Sequence, residues 1–206
     1  FAPLLNRATV VIQGGRFRAE NWYSLIEELG VTIWYSAPTA FRMLLSKGDL
    51  HKEYDLSSVR HVLSVGEPLN PEVIQWAWKS LQVRIHDTWW MTETGGHLIV
   101  NLPSEKIKTG SMGRAFPGIE VGILDEEGRQ IPAGEIGQLA VRIPWPGLMK
   151  EIWGNKEKYQ SYFLYEGWYI SGDLAYQDEE GYVFFQGRDD DMINSAGERI
   201  GPFEVE

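Results

Sequence analysis

The sequence predicts an α/β fold in which a parallel βαβ subdomain is followed by a mostly antiparallel, barrel-like β subdomain. Up to about residue 104, apolar residues at helical spacing alternate with short apolar runs, which is the pattern of strands joined by helices. After residue 105, short β-rich runs alternate with Gly, Pro and acidic turn clusters. The 206 residues are 43% hydrophobic, which is enough for one good-sized core or two small ones.

Three amphipathic helices are predicted in the first half of the chain. The first spans 21–29 and ends at Gly30, since glycine readily takes the conformation that ends a helix. Its predicted apolar face consists of Trp22, Leu25, Ile26 and Leu29. The second spans 38–45, and the third begins with Asn70 as cap and Pro71 in the first turn. The predicted apolar face of this third helix consists of Val73, Ile74, Ala77, Trp78 and Leu81.

Three buried strands are predicted beside these helices, at 31–35, 59–65 and 83–87. Strands separated by helices form a parallel sheet, and such a sheet binds its ligands at the carboxyl ends of the strands. We therefore expect a site in the loops that follow Val65 and His86.

The second half predicts short strands at 120–124, 137–143, 168–170 and 182–186. The predicted domains are a partial α/β subdomain at 1–104, the β-rich subdomain at 105–187, and a hinge with the truncated start of a C-terminal domain at 188–206.

Both ends read as cuts in a longer chain. Residues 1–15 do not begin with Met and predict an apolar core strand that ends in a Gly14-Gly15 turn. Residues 202–206 resemble the first turn of a helix, with a proline near the start and acidic residues after it.

Charge and composition exclude several classes of function. The 29 acidic and 19 basic residues are spread along the chain and give a net charge of −10, which argues against a nucleic-acid or anionic-membrane surface. The chain has no cysteine, so thiolate chemistry and disulfides are excluded and the cytoplasm is the default compartment. No apolar run approaches the roughly 18 to 20 residues of a membrane helix. Small molecules are the expected partners.

The segment from Asp87 to Gly96 is the most specific stretch, and it follows a predicted parallel strand. Thr92 can donate to a phosphate oxygen, and Glu93 offers the hard oxygen ligands that Mg²⁺ prefers. On chemistry alone, a polar turn beside two core tryptophans is an equal alternative.

Five segments resemble, in the right order, the signature motifs of the adenylate-forming superfamily, which includes acyl-CoA synthetases, luciferases and peptide-synthetase adenylation domains. These segments are Val65-Gly66-Glu67-Pro68, Asp87 through Glu93, Gly134-Glu135-Ile136-Gly137, Tyr169-Ile170-Ser171-Gly172-Asp173 and Gly187-Arg188-Asp189-Asp190-Asp191. The resemblance covers nearly the whole chain. It implies that ATP and CoA are co-substrates and that Mg²⁺ is a cofactor.

The resemblance implies a nucleotide site. Its residues would be Gly66, Glu67, Pro68, Asp87, Thr88, Thr92, Asp173, Arg188 and Arg199. The first three would border adenine, and Asp87 would accept a hydrogen bond from the adenine amino group. Thr92 would contact the α-phosphate, while Asp173 and Arg188 would hold the ribose hydroxyls. A surface ion pair is the alternative for Asp173 and Arg188.

The catalytic residues implied by the resemblance are Thr92, Glu93 as the Mg²⁺ ligand, and Asp190 as the hinge pivot. The implied CoA side consists of Ala196, Gly197 and Arg199. The family usually places Ser-Gly directly before the pair that contains this arginine, whereas this chain has Ser195-Ala196-Gly197. The family's Gly-rich phosphate loop and catalytic lysine do not occur in these 206 residues.

Trp90 makes the segment most similar to the acetyl- and propionyl-CoA synthetases of the superfamily. An indole at the floor of an acyl pocket, which Val65 would also line, fills the volume that a longer alkyl chain needs. The alternative is that Trp90 completes the core. Three further alternatives are an inactive nucleotide-binding fragment, a different adenylating branch and a tryptophan-rich carbohydrate-binding module. The four histidines show no metal-ligand spacing and are interpreted as ordinary loop or strand residues.

Overall fold

The computed structural model describes residues 2–189 and, beyond them, the backbone at 193–195 and 198–200. Its helices are α1 (Ala2–Leu5), α2 (Ala19–Leu29), α3 (Pro38–Leu45), α4 (Pro71–Leu81) and α5 (Lys156–Ser161), with 3₁₀ turns at Gly48–Glu53 and Thr92–Thr94. Its strands are β1 (Ile33–Ser36), β2 (His61–Ser64), β3 (Ile85–Trp89), β4 (Ile99–Val100), β5 (Arg114–Ala115), β6 (Val121–Leu124), β7 (Gly137–Arg142), β8 (Trp168–Gln177), β9 (Val183–Arg188), β10 (Ile193–Ser195) and β11 (Glu198–Ile200).

The first sheet has the order β1-β2-β3-β4-β5, and its first three strands are parallel. Ile33 pairs with His61, and Val62 pairs with Ile85. β4 and β5 extend this sheet in the antiparallel sense. The predicted parallel βαβ arrangement is therefore confirmed, and the carboxyl ends of β1, β2 and β3 lie along one edge of the sheet.

The second sheet is an antiparallel meander with the order β6-β7-β8-β9, which confirms the antiparallel character predicted for this half. β8 runs from Trp168 to Gln177 and is much longer than the predicted strand at 168–170. An isolated antiparallel bridge between Gly113 and Val183 connects the approach to β5 with β9.

The helices form where predicted, but two of their buried faces differ from the prediction. On α2 the buried residues are Ala19, Tyr23 and Ile26, while Leu29 is 56% exposed. The helix begins at Ala19, two residues before the predicted start. Its buried residues are therefore separated by four and then by three positions, which is the spacing of one helical face. On α4 the buried residues are Val73, Trp76 and Ala77. Trp78 is instead half-exposed beneath the Arg84 guanidinium, since an indole can cover a surface and stack with a cation.

The prediction of a core strand in residues 1–15 is wrong. Within the described residues 2–15 only α1 forms, and Leu5 and Ile12 are 82% and 87% exposed. A strand needs a neighbour for its backbone groups, and no described strand pairs with this segment. An apolar run alone therefore did not identify a strand. Residues 202–206 lie outside the described residues.

β10 and β11 form a separate two-stranded antiparallel sheet, and two large apolar clusters underlie the first and second sheets. One packs α2, α3 and α4 against the first three strands and includes Phe41 and Val62. The other includes Trp89, Leu139 and Tyr169 and lies beneath the antiparallel strands. None of the helices in the described part of the chain is both long enough and apolar enough to cross a membrane.

Candidate active site

The loop after β2 is braced against the start of α3. Glu67 Oε2 accepts hydrogen bonds from the backbone N–H of Thr39 at 3.0 Å and from Arg42 at 3.1 Å. Gly66 has a φ of 87° and is exposed, so a side chain there would be strained. The brace fixes the loop and leaves its glycine backbone accessible to a flat ligand.

Asp87 lies inside the sheet, 7% exposed, and accepts a hydrogen bond from Ser64 Oγ at 2.5 Å. Burial raises the pKa of Asp87 to about 7, because desolvation disfavours the charged carboxylate. In this structure Asp87 therefore joins β2 to β3, and its contact with an adenine amino group stays a prediction.

Trp89, Asp173 and Arg188 form a chain of contacts between the two sheets. The Trp89 indole Nε1 donates to Asp173 Oδ2 at 2.7 Å, and Arg188 Nη1 lies 3.1 Å from Asp173 Oδ1. The Asp173 side chain is 8% exposed and that of Arg188 is 40% exposed. The predicted pair is therefore adjacent, and its ion pair is only partly at the surface. The ribose role predicted for these two residues remains a prediction.

The 3₁₀ turn Thr92–Thr94 follows β3 and is held by contacts from residues 145–162. Trp145 Nε1 donates to the Thr94 carbonyl at 2.9 Å, and Met149 N donates to the Glu93 carbonyl at 2.9 Å. Tyr162 donates from its hydroxyl to Glu93 Oε1 at 3.3 Å. Thr92 is exposed, so its hydroxyl is accessible to a phosphate.

Glu93 suits a magnesium ion only as part of a shared site. No cluster of three or more His, Asp or Glu side chains that could hold a metal occurs among the described residues. Mg²⁺ is commonly bound through one or two carboxylates together with substrate phosphates and water. A single half-buried carboxylate beside the exposed Thr92 hydroxyl fits a metal that arrives with the nucleotide.

Trp90 is 37% exposed and lies at the rim of the sheet edge, which argues against a purely core role. Its Nε1 donates to the Tyr35 hydroxyl at 2.9 Å, and its ring makes an edge contact with His97. Val65 is half-buried at the end of β2. The acyl-pocket role of Val65 and Trp90 stays a prediction.

Sequence reasoning missed Tyr35 and Trp145 and interpreted His97 as an ordinary residue. The signal for Tyr35 was available, because it lies at the carboxyl end of β1, and the rule applied to β2 and β3 applies equally there. His97 accompanies it, since its Nε2 lies 3.0 Å from the Tyr35 hydroxyl. Trp145 is far from the segment Asp87 to Gly96 in sequence, so no local pattern indicated its contact.

Several predicted residues cannot be placed. Asp190, Ala196 and Gly197 lie outside the described residues. Pro68 is half-buried in the loop after β2, and its contact with adenine stays a prediction. Arg199 lies in β11, where its backbone pairs with Asn194.

Comparison with known proteins gives a consistent result. The family described as AMP-binding enzyme matches residues 1–153. The acetyl-coenzyme A synthetase of Bacillus subtilis is 62% identical over 207 aligned positions, which cover 100% of this chain and 36% of that protein. The acetyl-coenzyme A synthetase of Pyrobaculum aerophilum is 42% identical over 99% of this chain and 32% of that protein. The chain thus spans about a third of the length of these curated relatives.

Solved structures show the same fold. A crystal structure of an anthranilate CoA ligase in complex with anthranoyl-AMP has a TM-score of 0.88 at 34% identity, covering 97% of this chain and 38% of that one. The acyl-CoA synthetase of Brucella canis has a TM-score of 0.81 at 38% identity, covering 99% of this chain and 38% of that one. The chain belongs to the family of AMP-binding enzymes.

Proposed function

We propose that the protein carrying this chain is an AMP-forming ligase that activates acetate, or a similarly short carboxylate, with ATP and transfers the acyl group to CoA. The observation that supports this most strongly is the 62% identity to an acetyl-coenzyme A synthetase along the whole chain. The arrangement of the strand ends is compatible with it, because a braced glycine loop follows β2, an exposed threonine follows β3, and Trp89 at the end of β3 contacts the Asp173–Arg188 pair.

On the nucleotide side, Gly66 and Pro68 would border adenine while Glu67 fixes their loop through Thr39 and Arg42. Asp173 would accept hydrogen bonds from ribose hydroxyls, and carboxylates do so strongly when ionised. Its orientation would be set by Trp89 and Arg188, which already contact its two oxygens.

At the reacting phosphate, the exposed Thr92 hydroxyl would donate to an oxygen of the α-phosphate. Glu93 would hold Mg²⁺, which would offset phosphate charge as the carboxylate attacks. The described residues act mainly by positioning and by electrostatic complementarity. Thr88, at the end of β3, would border the same phosphate region.

The remaining roles concern the acyl group, CoA and motion. Val65 and Trp90 would limit the length of the acyl chain. CoA would approach Ala196, Gly197 and Arg199, and Asp190 would be the pivot between two states of the enzyme, since a few residues absorb such rotations. These roles are proposed to be divided among three domains, at 1–104, 105–187 and 188–206. The enzyme is proposed to be cytoplasmic.

The products test this proposal. Incubation of the protein that carries this chain with ATP, Mg²⁺, acetate and CoA should give AMP, pyrophosphate and acetyl-CoA in equal amounts, and chelation of Mg²⁺ should stop the reaction. Formation of ADP, or nucleotide turnover that does not depend on acetate, would contradict it.

A further inference from the structure

Three elements meet at the hydroxyl group of Tyr35. Trp90 Nε1 lies 2.9 Å from it, His97 Nε2 lies 3.0 Å from it, and Thr88 Oγ1 lies 3.1 Å from it. Tyr35 is at the carboxyl end of β1, Thr88 belongs to β3, and Trp90 with His97 follows β3. One hydroxyl thus connects the proposed acyl pocket with the proposed nucleotide site.

The number of protons fixes the direction of these hydrogen bonds. Thr88 Oγ1 donates its only proton to the Ser64 carbonyl at 2.8 Å, so it can only accept from Tyr35. The Trp90 indole N–H can only donate. Tyr35 therefore donates its one proton to Thr88 and accepts from Trp90 with one lone pair.

His97 must then be a donor toward Tyr35, because the single phenolic proton is already used. Burial lowers the pKa of His97, which favours the neutral ring, and the neutral ring donates from Nε2 in only one of its two tautomers. The direction of the chain therefore assigns the Nε2–H tautomer to His97. In this arrangement each of the four donor protons meets one acceptor, and the chain runs from Trp90 and His97 through Tyr35 and Thr88 to the Ser64 carbonyl.

Ring contacts restrict the same group of side chains. The His97 ring centroid lies 5.8 Å from that of Tyr35 and 5.9 Å from that of Trp90, both in edge contacts. Tyr35 and Trp90 are nevertheless 40% and 37% exposed, so their surfaces remain accessible to a ligand. Because the Trp90 indole is only partly packed, its contacts with Tyr35 and His97 hold it in one orientation.

We infer that Tyr35 is a positioning residue that fixes the orientation of Trp90 and links it to Thr88 through this directed hydrogen-bond chain. The catalytic consequence of this inference is that Tyr35 strengthens the preference for a short acyl group. That consequence rests on the proposed function. The hydrogen-bond chain itself does not depend on that function.

The test is Tyr35→Phe in the protein that carries this chain, because phenylalanine keeps the ring and removes only the shared oxygen. The expected result is a fall of about fivefold in the ratio of kcat/KM for acetate to that for butyrate, comparable to one hydrogen bond. Tyr165→Phe is the matched control, since Tyr165 donates to the Glu126 carbonyl in the turn after β6 and should leave the ratio unchanged.

A double-mutant cycle separates positioning from general destabilisation. If Tyr35 acts through Trp90, Tyr35→Phe should have no further effect on the ratio in a Trp90→Gly background. An equal effect in both backgrounds, or an unchanged ratio in folded Tyr35→Phe, would overturn the inference.

A readout independent of activity distinguishes this inference from the proposed function. The indole N–H resonance of Trp90, assigned by its loss in Trp90→Phe, should shift in Tyr35→Phe and not in Tyr165→Phe. A shift in a protein that lacks acetate activation would retain the positioning role and reject the function. An unmoved resonance would overturn the positioning role itself.

Discussion

The indole N–H of Trp89 donates a hydrogen bond of 2.7 Å to the Asp173 carboxylate, and this bond joins the end of β3 to β8. The two residues are 84 positions apart in sequence and both are buried. The carboxylate also contacts Arg188. The bond therefore sets the position of Asp173, which is proposed to bind the ribose, relative to the strand that leads to Thr92 and Glu93.

Replacement of Trp89 by Phe should weaken both the fold and the binding of ATP. Asp173 Oδ2 would lose a donor while it remains buried, which costs on the order of 1–3 kcal/mol. A misplaced carboxylate should also raise KM for ATP about tenfold. Urea unfolding and steady-state kinetics measure the two effects. Trp153→Phe is the control, because Trp153 is 93% exposed. A loss of stability with KM for ATP unchanged would show that the bond is only structural.

Asp87→Asn should remove part of the pH dependence of stability. The pKa of Asp87 is raised to about 7 in the folded protein, so the folded state holds a proton that the unfolded state releases above about pH 4. This contribution is complete below about pH 4 and is lost as the pH rises through 7, at a cost of up to about 4 kcal/mol. Asn cannot titrate and still accepts from Ser64.

Urea unfolding of both proteins at pH 5 and pH 8 measures this effect. We expect the wild-type protein to lose more stability between the two pH values than Asp87→Asn does. Parallel pH profiles would contradict the assignment of a raised pKa to Asp87.

The contact between Gly95 and Gly147 should be sensitive to a single methyl group. A Cβ on Gly147 would meet the Thr94 carbonyl oxygen at 2.7 Å, and one on Gly95 would collide with the Gly147 carbonyl. Gly147→Ala should therefore cost about 1–3 kcal/mol and raise KM for ATP by displacing the Thr92–Thr94 turn. Gly96→Ala is the control for stability, because a Cβ there meets nothing within 4 Å. Equal stability of the two variants would refute the close approach.

Much of the fold was predictable, because local patterns determine where helices and strands begin and end. Pro71 and Gly30 marked helix ends that the structure confirms. The contacts that complete the site were not predictable in this way. Trp89 with Asp173 and Trp145 with Thr94 join distant segments, and their partners depend on how the two sheets pack. Leu29 illustrates the same limit, because helical spacing alone does not say which side of α2 meets the core.

Trp90→Gly should allow longer acyl groups. If the freed volume does not collapse, it can bury the two additional methylenes of butyrate, each worth roughly 0.8 kcal/mol. The ratio of kcat/KM for butyrate to kcat/KM for acetate should then rise roughly tenfold. Since Trp90 is 37% exposed, its loss should cost less than the roughly 3–5 kcal/mol of a core tryptophan. Thermal unfolding verifies the fold, and initial rates with both acids give the ratio. An unchanged ratio in the folded variant would place the control of chain length elsewhere.

Acetate-dependent exchange of labelled pyrophosphate into ATP, measured without CoA, tests the central claim most directly, because only a reversible adenylation step produces it. We predict rapid exchange by the protein that carries this chain when acetate and Mg²⁺ are present, slower exchange with butyrate, and none without a carboxylate. Exchange that is absent with acetate, or equally fast without any acid, would contradict the proposal that these residues form a site for short-carboxylate adenylation.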